Sequence, residues 1–110
     1  MIRIRVKRSR DMIEGFLVWG HARYAPYNED IVCASVSAVC TTTIIGLINL
    51  TPGYVRYGIS DGGLMYCRLR GVVPGPAHRD TQTLFMAMIL GLQSIQKSYG
   101  NSIDIKIQRT

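Results

Sequence analysis

The 110-residue sequence has little with which to staple a small fold from outside. Its three cysteines, Cys33, Cys40 and Cys67, are an odd number at unrelated spacings with no C-x-x-C pair, which argues against a disulfide framework. Its two histidines, His21 and His78, stand in no ligand-like spacing, so neither metal nor cofactor is expected. No apolar run reaches the ~18 residues of a membrane span, and no signal-peptide core follows the N-terminal charges. A soluble cytoplasmic protein with no membrane contact is expected. The nearest approach to a nucleotide-binding loop lacks its lysine, and no RNP-type aromatic motif marks an RNA contact. Acidic residues are also scarce, seven against 13 lysines and arginines, for a net charge of +6. Such a charge attracts nucleic acid or an RNA-rich assembly but identifies no partner by itself. Against these absences, 47% of the residues are hydrophobic and spread along the whole chain, enough for one domain, residues 1–110, with its own core.

The apolar pattern divides the chain into seven elements. Ile2, Ile4 and Val6 alternate with Arg3, Arg5 and Lys7, a strand with one apolar and one cationic face. Ser9, Arg10 and Asp11 turn the chain into a second strand over Met12 to Trp19, in which Gly15 is a candidate bulge. Gly20 to Glu29 reads as a loop, and Asp30 to about Asn49 as a helix apolar on nearly every side, with Cys40 in its packing face. Thr51-Pro52-Gly53 ends that helix. A second hairpin, Tyr54 to Ile59 and Leu64 to Arg70, closes around Ser60-Asp61-Gly62-Gly63, with Cys67 facing inward. Gly71 to Ala77 is a short connection, and Asp80-Thr81 opens a second helix carrying Leu84, Phe85, Met88, Ile89, Leu92 and Ile95, with Met86 and Met88 read as core filler. Ile103, Ile105 and Ile107 mark a last strand. The order ββαββαβ predicts an α+β single domain, two helices packed on one face of a five-stranded mixed or antiparallel sheet.

The chemistry gathers between Gly20 and Ser37. With Asp30 as N-cap, Cys33 would sit at N3, near the positive end of the helix dipole and near free amides that favour thiolate over thiol. His21, twelve residues earlier, would stabilise that thiolate as an ion pair and later hand its proton to a leaving amine. Amides at the helix start, that of Cys33 included, would hold the oxyanion, at ~3 kcal/mol of barrier each. The plainer alternatives are a cysteine that serves as a small buried hydrophobe and a histidine that ends a strand. His78 is the rival base. Asp30 would either orient His21 or only cap the helix, and Ser37 would hydrogen-bond near the sulfur or to a carbonyl one turn back.

Gly20-His21-Ala22, followed at a fixed interval by Asp30-Ile31-Val32-Cys33-Ala34 and Val36-Ser37-Ala38, resembles the signature of the ribosomal-processing cysteine protease family called Prp. The likeness extends over essentially the whole chain, including Thr81-Gln82 and Leu90-Gly91-Leu92. It implies a small cytoplasmic homodimer that removes the N-terminal extension of large-subunit ribosomal protein L-twenty-seven by cutting an extended hydrophobic motif. On that resemblance Cys33 is the nucleophile, His21 its partner, and Asp30, Ser37 and Gly20 supporting residues. The loop between histidine and aspartate is glycine-rich in the family and would serve as a lid; here Ala22, Arg23 and Asn28 lie in it, Arg23 and Asn28 where glycine is common, and Ser35 replaces a frequent alanine. Two other classes remain open: a noncatalytic RNA- or ribosome-binding assembly factor using Arg3, Arg5 and Lys7, and a thiol redox sensor, for which Cys40 is badly placed as resolving partner.

Overall fold

The computed structural model describes residues 1–20, 27–60 and 62–109, and at residues 27–30 the backbone alone. Its elements are β1 (Ile2–Ser9), β2 (Met12–Trp19), α1 (Tyr27–Leu50), β3 (Val55–Ile59), β4 (Met65–Leu69), α2 (Gly75–Ser98) and β5 (Ile103–Arg109). The strands form one sheet in the order β3-β4-β2-β1-β5. Both hairpins and the β2–β4 contact are antiparallel, whereas β5 returns parallel to β1 after α2, so the sheet is mixed.

Period two decides which face is covered. Ile2, Ile4 and Val6 of β1, Phe16 and Val18 of β2, and Met65, Cys67 and Leu69 of β4 are buried. On these pack two helical stripes, Val32, Val36, Cys40, Ile44 and Leu47 of α1 and Phe85, Met88, Ile89 and Leu92 of α2. Each stripe repeats every three or four residues, the spacing that keeps side chains on one side of a helix. The helices run antiparallel and close: a Cβ at Gly46 would lie 3.3 Å from Leu84, and one at Gly91 3.6 Å from Val39. Phe16 meets Phe85 edge to face at 6.2 Å between ring centres, joining sheet and helix in a favoured aromatic geometry.

Four sequence expectations are corrected. Helix α1 begins at Tyr27, so Asp30 is inside its first turn and does not cap it. Helix α2 begins at Gly75, with Pro76 in the first turn, so Gly71 to Ala77 is not all connection and His78 lies within the helix. Proline suits that position because the first amides of a helix have no internal acceptor and its fixed φ is helical. Third, Ile31–Leu50 has a mean hydropathy of 2.2 over 20 residues, long and apolar enough to cross a membrane despite its serines and threonines. Here it is a core helix on one side only; Ala34, Ser37, Ala38, Thr42, Ile45 and Asn49 form an exposed, uncharged opposite side. Met88 is core as expected, but Met86 is exposed.

The bulge foreseen near Gly15 exists: Lys7 pairs with Gly15 and Arg8 with Ile13, leaving Glu14 as the extra residue. Gln82 of α2 secures it. Its Oε1 accepts from the Ile13 amide at 2.7 Å and its Nε2 donates to the Ile13 carbonyl at 3.0 Å. Removing a partner from buried backbone groups costs about 1–3 kcal/mol, so Gln82→Ala should lower unfolding stability by about 2 kcal/mol in urea titrations. A change below a few tenths would show that the bulge holds without Gln82.

Candidate active site

Cys33 is the seventh residue of α1, half-buried, with its flanks Val32 and Val36 sealed in the core. Its amide therefore lies beyond the four free N–H groups of the helix start, and it is not at N3. The expected dipole activation and oxyanion donation by the Cys33 amide both weaken, because these effects belong to the first turn. Ser35 donates to the Ile31 carbonyl at 2.8 Å, the carbonyl-satisfying role expected of Ser37, and Ser37 itself is exposed one turn beyond Cys33.

The other two thiols are withdrawn from chemistry. Cys40 lies on the core side of α1 and Cys67 on the inward face of β4, both buried as expected. Burial, and secondarily the neighbouring Cys67, pushes the Cys40 pKa up to about 12; burial alone takes Cys67 to about 12. A thiol held that high supplies almost no thiolate near neutrality and cannot act as a resolving cysteine, which removes the basis of a redox sensor.

The end of the sheet beside the α1 start is defined by pairing. Trp19 ends β2 opposite Arg3, Val18 pairs with Met65, and Ile59 pairs with Met65 from the other side. Gly20 follows Trp19 at φ +86, where a Cβ would stand 2.5 Å from the Met1 carbonyl oxygen. Only glycine fits there, since other residues meet strain from the backbone and from Met1 together. Tyr57, Ile59 and Leu64 of the second hairpin are exposed apolar side chains. Tyr57 and Ile59 share the strand side that α1 covers farther in, so they continue the core outward to the sheet edge.

His21, Ala22 and Arg23 lie outside the described residues, as do the side chains of Asn28 and Asp30. His78 is placed at the other end of the fold: α2 starts where α1 stops, and about 25 Å of helix rise separates that level from Cys33. It is excluded as the partner of Cys33. The exposed apolar row of Tyr57, Ile59 and Leu64 was not singled out from the sequence; its signal was the apolar residue kept at alternate positions of an edge strand.

Burial makes two checks available. Native labelling with iodoacetamide at pH 8 should modify Cys33 alone, read by mass spectrometry, and comparable labelling of Cys40 or Cys67 would overturn the division of the thiols. Both core thiols have pKa values raised above the ordinary 9.0, so the unfolded chain releases those protons first. Their contribution to stability is complete below pH 9 and is lost as pH rises toward 12, and Cys67→Ala should flatten that alkaline decline.

Comparison with known proteins agrees with this geometry. The cysteine protease Prp family profile matches residues 1–104. The ribosomal processing cysteine protease Prp of Bacillus subtilis is 31% identical over 107 residues, 96% of each chain. A crystal structure of a Streptococcus mutans protein superposes with TM-score 0.86 at 28% identity, covering 100% of this chain and 96% of that one. The Staphylococcus aureus ribosomal processing protease Prp superposes with TM-score 0.82 in complex with a substrate peptide and 0.79 with a covalently linked product peptide, at 25% and 26% identity, covering 98% of this chain and 100% of each. A half-exposed cysteine on the core helix of a ββαββαβ sheet, with this match along nearly its whole length, places the chain in the cysteine protease Prp family.

Proposed function

We propose that this protein is a cytoplasmic endopeptidase that removes the N-terminal extension of large-subunit ribosomal protein L-twenty-seven, with Cys33 as nucleophile and His21 as its proton partner. The observation that carries the assignment is the separation of the thiols: Cys33 alone among the three is accessible, and it lies in the stretch whose resemblance to the family signature implies the nucleophile. Its thiolate attacks the scissile carbonyl carbon, forming a C–S bond and a tetrahedral oxyanion. Collapse breaks the C–N bond as His21 protonates the departing amine. Water, losing its proton to His21, then hydrolyses the thioester and frees the thiol. The Staphylococcus aureus relative with a covalently linked product peptide supports this two-step course.

Position in the chain favours His21 over His78. It follows Gly20 directly, and Gly20 is fixed against Met1 at the end of the sheet from which α1 starts. Asp30 precedes Cys33 by three residues and Ser37 follows it by four, the sequence spacings of helix neighbours, so they are the supporting pair in this reading. Tyr57, Ile59 and Leu64 supply apolar surface for an extended hydrophobic substrate, and among the described residues β3 pairs only with β4, leaving an edge to which an extended chain can add. The enzyme is a homodimer in this reading, supported by the uncharged outer side of α1, a surface on which two copies of a +6 chain meet without like charges.

Cleavage of a peptide spanning the L-twenty-seven extension, followed by mass spectrometry, tests the assignment. Cys33→Ala and His21→Ala should each abolish a single cut in folded protein; equal cutting by all three proteins would refute the dyad. Burying an isoleucine is worth about 1.5–3 kcal/mol, so Ile59→Asp should raise KM at least about tenfold with kcat little changed. Ala38→Arg should convert the dimer to monomer in sedimentation.

A further inference from the structure

We propose that the uncovered face of the sheet is a second binding surface, built for single-stranded RNA. Because both helices lie on one side, alternate residues of every strand face outward with no helix packed on them among the described residues. Those positions carry six cations, Arg3, Arg5 and Lys7 of β1, Lys106 of β5, Arg68 of β4 and Arg56 of β3, against two acids, Glu14 and Asp104. Both acids are already paired, Asp104 with Arg5 at 2.9 Å and Glu14 with Lys7 at 3.4 Å. Most of the protein's net charge of +6 thus stands on this one face.

The cations surround an apolar floor. Register sets Arg5, Leu17 and Tyr66 side by side across β1, β2 and β4, with Trp19 two residues farther along β2. They line a cleft of about 750 Å³ whose margins include Lys7 and Arg68. Tyr66, 41% exposed, lies flat across β3, because Gly58 opposite it has no side chain; a Cβ there would come 2.5 Å from the Tyr66 ring. Arg5 is held over the Trp19 ring at 5.1 Å, so a fixed cation borders the aromatic floor.

A face that presents a flat aromatic ring between rows of cations has the chemistry of a single-stranded nucleic acid platform: bases stack on the ring while phosphates meet the cations. Successive outward rows are about 7 Å apart by strand rise, comparable to the reach from one nucleotide to the next. A second copy of this chain would set like charge against like charge, and a basic protein fits no better. The choice of RNA over DNA rests on the proposed ribosomal substrate; the platform itself does not.

The test is fluorescence anisotropy with a labelled 12-nucleotide RNA, the same DNA sequence, an RNA duplex and phosphatidylserine vesicles. Single-stranded RNA should bind most tightly, with log K falling against log salt at a slope of about −3 for four phosphate contacts. Lys106→Ala with Arg68→Ala should halve that slope, whereas Tyr66→Ala should weaken binding about tenfold with the slope unchanged. Cleavage of the peptide substrate should be unaffected in both variants, showing that they are folded and that the two surfaces are separate. No RNA binding at 50 mM salt, tighter binding to DNA, duplex or vesicles, or full binding by the double cation variant would overturn the proposal. So would dissociation of a dimer by the same substitutions, since that would assign the face to a second copy. Failure of peptide cleavage by the wild type, with RNA binding intact, would count against the proposed protease substrate and not against this surface.

Discussion

The contact between the α1 stripe and the sheet, Val32, Val36, Cys40, Ile44 and Leu47 against the inward residues of the strands, is the constraint on which the rest depends. It fixes the rotation of α1 about its axis. Once Val32 and Val36 point to the core, Cys33 must lie at the margin of that contact and Ser37 beyond it, because each residue turns the helix by about 100°. As the proposed nucleophile, Cys33 stands on a rigid helix and is held more precisely than on a loop, and the packing energy of the core does the holding.

The same contact sorts the cysteines. Cys40 falls in the centre of the stripe and meets Cys67 from β4, and desolvation keeps both thiols protonated. A core that buries two thiols while leaving the third accessible restricts oxidation and alkylation to Cys33, the proposed nucleophile. The extra hydrophobic area of α1 beyond that core is the feature that its local packing leaves unexplained, and the dimer proposed above would cover it.

The element order, the mixed alternative for the sheet, the single covered face and the inward Cys40 and Cys67 were legible because alternation and helical spacing are written locally. Helix starts were not. Asp30 is a good cap by type, yet α1 begins at Tyr27, and the Pro74-Gly75-Pro76 run that reads as loop contains the first turn of α2. Cap residues mark positions where a helix is allowed to begin; tertiary packing selects among them. The family was legible through the signature around Cys33, whereas the N3 argument for that residue fails because the helix starts earlier. The aromatic floor of the open face was hidden for a different reason. Trp19 and Tyr66 belong to strands joined only through the sheet order, so no local motif could announce them.

Both faces are nevertheless set by one register. Slipping β4 by a single residue would turn Cys67 outward and drive Tyr66 into the core, exchanging a protected thiol and a platform in one step. The irregularity that could allow such a slip, the bulge at Glu14, is confined to the end of β2 away from Trp19, and from Gly15 onward the pairing with β1 and β4 is unbroken. Gln82 ties that bulge to α2 through both backbone groups of Ile13. A helix on the covered face therefore fixes the strand register that the open face and the Gly20 turn inherit. The cationic surface can vary in sequence without disturbing the core, but it cannot be displaced relative to Cys33 while that tie holds.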